Sequence, residues 1–122
     1  MDRIKYLLDE HVSYNLRKAV KKLDNDIVIR RIGDIDAPAV GTLDPVILFW
    51  CDINNFTLVT NNRKSMPEHL KNHLRAGGHI PGIFVLNPNL SMGEIAYELA
   101  LIAGIAEAVE FTDQLRYLPI IK

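Results

Sequence analysis

The sequence predicts an α/β fold built on a parallel β-sheet with helices on both faces, and three observations predict it. Short runs rich in Ile, Leu, Val and Phe alternate with longer segments whose apolar residues recur at helical spacing, ending on a short final run. Helix-start signals (Asp44-Pro45, Ser65 with Glu68, Ser91 with Glu94) fall where the alternation needs a helix to begin. Length and composition fit a single domain over residues 1–122, with 48% of the residues hydrophobic and 24% charged. A chain of this size buries about two-thirds of its unfolded surface and needs neither a disulfide nor a structural metal to fold.

The elements follow in order. Ile4-Lys5-Tyr6-Leu7-Leu8-Asp9 reads as a short buried strand ending in acid. From His11 to Leu23, the residues Val12, Leu16, Ala19, Val20 and Leu23 fall at helical spacing, and Asp24-Asn25-Asp26 ends that helix. Ile27-Val28-Ile29 makes the second strand, and Gly33 to Thr42 is a loop containing Pro38 and Gly41. An Asp44 N-cap with Pro45 at the first helical position starts the next helix, with Val46, Ile47, Phe49, Trp50 and Ile53 as its apolar face up to Asn54-Asn55. Phe56 to Thr60 is the third strand and Asn61-Asn62-Arg63 a turn. A capping box of Ser65 and Glu68 opens a helix to about Ala76, closed by Gly77-Gly78. Gly82 to Leu86 is the fourth strand, left through Asn87-Pro88-Asn89. Ser91 and Glu94 form a second capping box before Ile95, Leu99, Ile102 and Ala106. Leu115 to Pro119 is a short edge strand after a last turn, either finishing the sheet or pairing across a homodimer.

No apolar run approaches the roughly 18 residues of a membrane span. The start, Met1-Asp2-Arg3-Ile4-Lys5, has no signal-peptide pattern, and a lone cysteine, Cys51, fits a reducing compartment, so a cytoplasmic location is expected. Net charge is −1, yet residues 61–79 carry Arg63, Lys64, Lys71 and Arg75 against Glu68 alone. Such a patch either attracts phosphates or is a solvated helix face.

In parallel α/β sheets, functional groups gather beyond the carboxyl ends of the strands. That selects Asp9 and Glu10 after the first strand, Thr60 to Arg63 after the third, Asn87 after the fourth, and Asp44 at a helix start on the same rim. Adjacent carboxylates repel unless they are solvated, cap a helix or share a cation; Mg²⁺ takes one or two carboxylates with waters and phosphate oxygens. Asp9 and Glu10 are therefore candidate ligands, with capping of the first helix as the structural alternative. Thr60, Asn61 and Asn62 are neutral oxygen donors or plain turn residues, and Arg63 can hold a phosphate bidentately. His69 and His73 share one helix face with His79 just beyond, without zinc-site spacing. Cys51 reads as a buried thiol, and Asp52 as a solvent-facing acid.

Taken together, Leu7-Leu8-Asp9-Glu10-His11, Asp44 opening a helix, and Phe56-Thr57-Leu58-Val59-Thr60-Asn61-Asn62 carry a resemblance over nearly the whole chain. The chain resembles the small PIN-like domains of bacteria, notably cyanobacteria, which are related to the toxin nucleases of toxin–antitoxin pairs. The resemblance implies a three-layer Rossmann-like (PIN-like) fold and a rim that binds Mg²⁺ or Mn²⁺ and cleaves RNA by metal-activated water. Asp9 matches the acid after the first strand, Glu10 its companion, and Asp44 the acid opening the later helix. Such domains often carry Thr-x-Asp-x-Asp-Phe after the next strand; here Asn62 and Lys64 stand at the two acidic positions. Losing one carboxylate and gaining a cation disfavours a second metal ion, since two-metal chemistry needs bridging anions.

On this basis the expected protein is a metal-dependent endoribonuclease, the toxin of a toxin–antitoxin pair. Asp9 and Asp44 hold one ion, Glu10 assists as ligand or base, and Thr60, Asn61, Asn62, Arg63 and Lys64 meet the RNA. The alternative is a PIN-like module without catalysis that binds RNA or a partner protein. A receiver-like phosphoacceptor domain fits less well, because Thr60-Asn61-Asn62 occupies the place of its phosphoacceptor Asp.

Overall fold

Three consecutive large residues without polar alternation suit only a strand covered on both faces. The first strand, β1 (Tyr6–Leu8), is accordingly buried throughout and central in the sheet. A computed structural model describes residues 3–120; Met1 and Asp2, at the start of the stretch read for a leader, and Ile121 and Lys122 lie outside the described residues. The elements that follow are α1 (Asn15–Leu23), β2 (Ile29–Arg31), α2 (Asp44–Asn54), β3 (Thr57–Thr60) and α3 (Met66–Arg75). The chain continues through β4 (Ile83–Val85), α4 (Met92–Ile105), a 3₁₀ turn (Ala108–Phe111) and β5 (Leu115–Tyr117). The five strands lie in the order β2-β1-β3-β4-β5 and every pairing is parallel. The expected α/β architecture is the one observed: α1 and α4 bury Leu16, Val20, Leu99 and Ile102 on one face, and α2 and α3 bury Ile47, Leu48, Cys51 and Leu70 on the other. Among the described residues no helix is long and apolar enough to cross a membrane.

Several local expectations shift, each for a physical reason. The first helix begins at Asn15 and not His11, because Val12 N–H donates to Asp9 O and Leu16 N–H to Ser13 O, spending residues 10–14 on turns. Neither Asp9 nor Glu10 therefore caps it. The second strand is Ile29–Arg31 and not Ile27–Ile29, since Ile27 N–H closes a turn onto Asp24 O and pairing starts at Tyr6 opposite Ile29. As an edge strand it tolerates Arg30 and Arg31. On α2, Ile47, Leu48 and Cys51 are buried, whereas Val46, Phe49 and Ile53 of the expected apolar face point outward. That helix is apolar nearly all round, so periodicity alone cannot select the inward side. The C-terminal strand finishes the sheet, with Ile83, Phe84 and Val85 opposite Leu115, Arg116 and Tyr117.

One capping box forms and one does not. Ser91 Oγ accepts from Glu94 N–H at 3.1 Å while Ser91 N–H donates to Glu94 Oε1 at 2.9 Å, which holds the Glu94 carboxyl below its ordinary range. Ser91→Ala is expected to cost about 1 kcal/mol. A thermal melt should fall by roughly 4 °C; an unchanged melt would contradict the cap. Ser65 makes no such box with Glu68, because its hydroxyl is taken by Asn62, and Asp44 is the first residue of its helix, not the side-chain cap.

Candidate functional site

From β1 the chain turns into α1 on one face of the sheet, and from the adjacent β3 into α3 on the other. Neighbouring strands whose connections part to opposite faces leave a crevice at their carboxyl ends, the usual ligand position in such folds. Asp9 and Thr60 are the residues at that point. Asp9 N–H continues the ladder onto Val59 O, and Thr60 Oγ1 donates to Asp9 Oδ2 at 2.8 Å. Glu10 N–H donates to the other carboxylate oxygen at 2.9 Å. Asp9 is only 8% exposed, so these bonds hold a buried carboxylate in one orientation.

Asn62 joins this pair to α2. Its backbone N–H donates to Thr60 Oγ1 at 3.0 Å, and its side-chain amide donates to Asp44 Oδ2 at 3.0 Å and to Ser65 Oγ at 2.7 Å. Ser65 N–H in turn donates to Asn62 Oδ1 at 3.1 Å, which fixes the entry to α3. One run of hydrogen bonds thus connects Asp9, Thr60, Asn62 and Asp44. Asp9, Glu10, Asp44 and Asn62 line a single cleft of about 350 Å³ together with His11, Thr42 and Leu43. Thr42 and Leu43 end the loop from Gly33, whose φ of +102° and close approach to Val40 suit only glycine. Asp34 anchors that loop: burial raises its pKa, but Arg17 and the Arg31 N–H prevail and hold the carboxyl below its ordinary range.

The remaining candidates take distinct places. Glu10 lines the cleft, and its Oε1 accepts from Gly41 N–H at 3.0 Å. Asn61 donates to His11 O at 3.1 Å and ties the two rim loops together. Arg63 and Lys64 are exposed just after Asn62, and the Arg63 guanidinium carbon lies 5.7 Å from the Tyr117 ring centre at the end of β5. Asn87 serves its own turn, accepting from Asn89 N–H. Cys51 is buried, and burial raises its thiol pKa.

His69 is the residue that sequence reasoning missed at this site. It lies one turn into α3, and its Nε2 is 3.6 Å from Asp44 Oδ2. The available signal was the adjacency of two helices that both start at the rim. His73 and His79 lie instead near the amino end of β4: His73 Nε2 is 3.0 Å from Asp52 Oδ2 and His79 Nδ1 is 2.8 Å from Asp113 Oδ2. Asp52 is thus a partner of His73 and not a solvent-facing acid. Asp113 raises the His79 pKa; the Asp113 carboxyl, pushed up by burial, is nonetheless held low by His79 and the Ile80 N–H. The His79 contribution is complete below the ordinary histidine value of about 6.5 and is lost as pH rises through the raised value. The Asp113 contribution is present above about 3.9 and is lost as pH falls through the lowered value. His79→Ala should therefore flatten the decline in melting temperature above about pH 6.5; an unchanged slope would contradict this.

Among the described residues, no group of three His, Cys, Asp or Glu side chains is placed to hold a metal ion. The cleft lining holds three carboxylates, Asp9, Glu10 and Asp44, with one Glu10 oxygen taken by Gly41 N–H; Mg²⁺ takes one or two when waters and phosphate oxygens complete its shell. Oxygen donors of this kind suit a hard cation, and the Asn62 amide at Asp44 adds a hydrogen-bond donor and not a ligand. A larger hollow of about 530 Å³ beside Arg3 and Asp24 has its main charges already paired with each other at 2.6 Å. No family model matches the chain, and neither does any curated protein or solved structure.

Proposed function

We propose that the chain is a PIN-like, metal-dependent endoribonuclease that uses one Mg²⁺ or Mn²⁺ at the carboxyl rim of its sheet. The observation that carries this reading is that Asp9 and Asp44, far apart in sequence, line one cleft at the point where the connections part. A divalent ion held by these two carboxylates supplies an activated water and neutralises phosphate charge. Thr60 keeps the Asp9 carboxylate oriented, and Glu10, lining the same cleft, takes up a proton as base or adds a ligand oxygen. Arg63 and Lys64, exposed just after Asn62, supply positive charge for the phosphates of the bound strand. We further assign the protein to the cytoplasm and to the toxin half of a toxin–antitoxin pair. An antitoxin has an apolar surface to meet in Leu43, Val46, Phe49 and Ile53, all exposed along the start and outer side of α2.

A second reading, a module that binds RNA or a partner without cleaving, is favoured by one observation: the Asn62 amide presents donors, not ligand oxygens, to Asp44. Incubation of the purified chain with labelled single-stranded RNA in Mg²⁺ or Mn²⁺ separates the two. Cleavage that EDTA stops is the expected result. RNA binding without cleavage over a broad panel of sequences would favour the module.

A further inference from the structure

Parallel pairing in register sets the strand ends side by side: Arg31 lies opposite Leu8 on one edge and Tyr117 opposite Val85 on the other. At a strand spacing of about 4.8 Å, the rim from β2 to β5 is roughly 19 Å long. Each end carries a half-exposed tyrosine, with three cations over one ring and one over the other. Tyr14, 52% exposed in the turn before α1, has Lys18 Nζ at 5.4 Å from its ring centre and the Arg17 and Arg31 guanidinium carbons at 5.7 Å. Tyr117, 49% exposed at the end of β5, has the Arg63 guanidinium carbon at 5.7 Å.

The acidic cleft lies between these two clusters. Arg17 is neutralised by Asp34, but Lys18, Arg31 and Arg63 form no ion pair with a described residue. Arg31 Nη2 donates to Glu10 O at 3.1 Å, beside the candidate carboxylates, and its buried Nε–H meets no acceptor in the structure. Exposed aromatic rings flanked by unpaired cations match a single polynucleotide strand, whose bases stack on rings while its phosphates meet the charges. A duplex keeps its base faces internal and offers nothing for the rings to stack on.

We propose that these clusters are the base-stacking stations of a single-stranded RNA track across the rim. Tyr14, with Lys18 and Arg31, holds the nucleotides on one side of the cleft, and Tyr117, with Arg63, those on the other. The proposal rests on the reading of the cleft as a site that acts on RNA. It adds the residues that position the strand on either side.

Binding measured apart from cleavage tests it: fluorescence anisotropy of a fluorescein-labelled 12-nucleotide oligo(A) RNA, titrated with the full chain in EDTA. Tyr14→Leu and Tyr117→Leu should each weaken binding on the order of tenfold, whereas Tyr14→Phe and Tyr117→Phe, which keep the ring, should bind as the wild type does. Lys18→Ala should weaken binding and reduce its salt dependence. Leucine variants that bind as tightly as wild type, or phenylalanine variants as weak as the leucine ones, would overturn the stations and leave the RNA reading standing. A wild-type chain that binds no oligo(A) would also overturn the stations, while the RNA reading itself stands or falls with cleavage over the broad panel in Mg²⁺ or Mn²⁺.

Discussion

Asp9→Asn is expected to reduce metal-dependent RNA cleavage by about 100-fold or more, since lesser changes around metal ligands already cost 10- to 100-fold. The fold should survive, because asparagine is nearly isosteric and keeps an oxygen for the Glu10 N–H. Its amide would face Thr60 Oγ1, which now donates to Asp9 and accepts from Asn62 N–H, so the hydroxyl must turn to find a new acceptor. That rearrangement is worth about 1 kcal/mol. Against it stands the relief of a buried charge, as Asp9 is only 8% exposed. Melting in EDTA should therefore be equal to or above wild type, while cleavage falls. Loss of cleavage with a collapsed melting temperature would instead mark Asp9 as structural. Equal cleavage in the variant would remove it from the chemistry.

Asn62→Asp should couple stability to divalent cations. Aspartate keeps the acceptor for Ser65 N–H, so the turn into α3 is retained. Facing Asp44, however, it replaces a donor at 3.0 Å by a second carboxylate. Two like charges at this separation repel by up to about 5.5 kcal/mol at an effective dielectric of 20, and by roughly 2 kcal/mol once partial exposure and relaxation of the side chains are discounted. In EDTA the variant should melt roughly 5–10 °C below wild type. Millimolar Mn²⁺ should restore most of the loss, because an ion bound only by the folded state adds its binding free energy to stability. A variant equally stable with and without Mn²⁺ would mean that Asp44 and position 62 do not face a shared cation site.

Much of this fold was legible because strong signals act locally. The alternation of buried strands with amphipathic helices gave the parallel order, and Ser91 with Glu94 gave a capping box that forms as read. The misplaced boundaries come from local turns, as where Val12 N–H meets Asp9 O and Ile27 N–H meets Asp24 O. The misread caps come from hydrogen bonds made by a neighbouring turn. Ser65 and Asp44 carry the chemistry of caps, yet Asn62, from a turn between them in space, takes the Ser65 hydroxyl and faces the Asp44 carboxylate. Likewise, the shift of the second strand depends on where Asp24 closes its turn, which apolar content does not reveal.

The site was legible in part for the same reason. A strand ending in Asp9 and a helix opening at Asp44 can be placed on one rim from topology alone. That Thr60 orients Asp9 required the register of β1 against β3, and that His69 approaches Asp44 required the packing of α2 against α3. Asn62 read as a missing acid; in the structure it is also the joint that connects both carboxylates and starts a helix.

In the proposed site, Asp9 and Asp44 together hold a single divalent ion. Titration of the metal-free chain with Mn²⁺, followed by the electron paramagnetic resonance signal of the free ion, counts bound ions directly. One saturable ion per chain is predicted, lost in Asp9→Asn and in Asp44→Asn while both variants remain folded. Two bound ions, no saturable binding, or a single ion retained in either variant would contradict it.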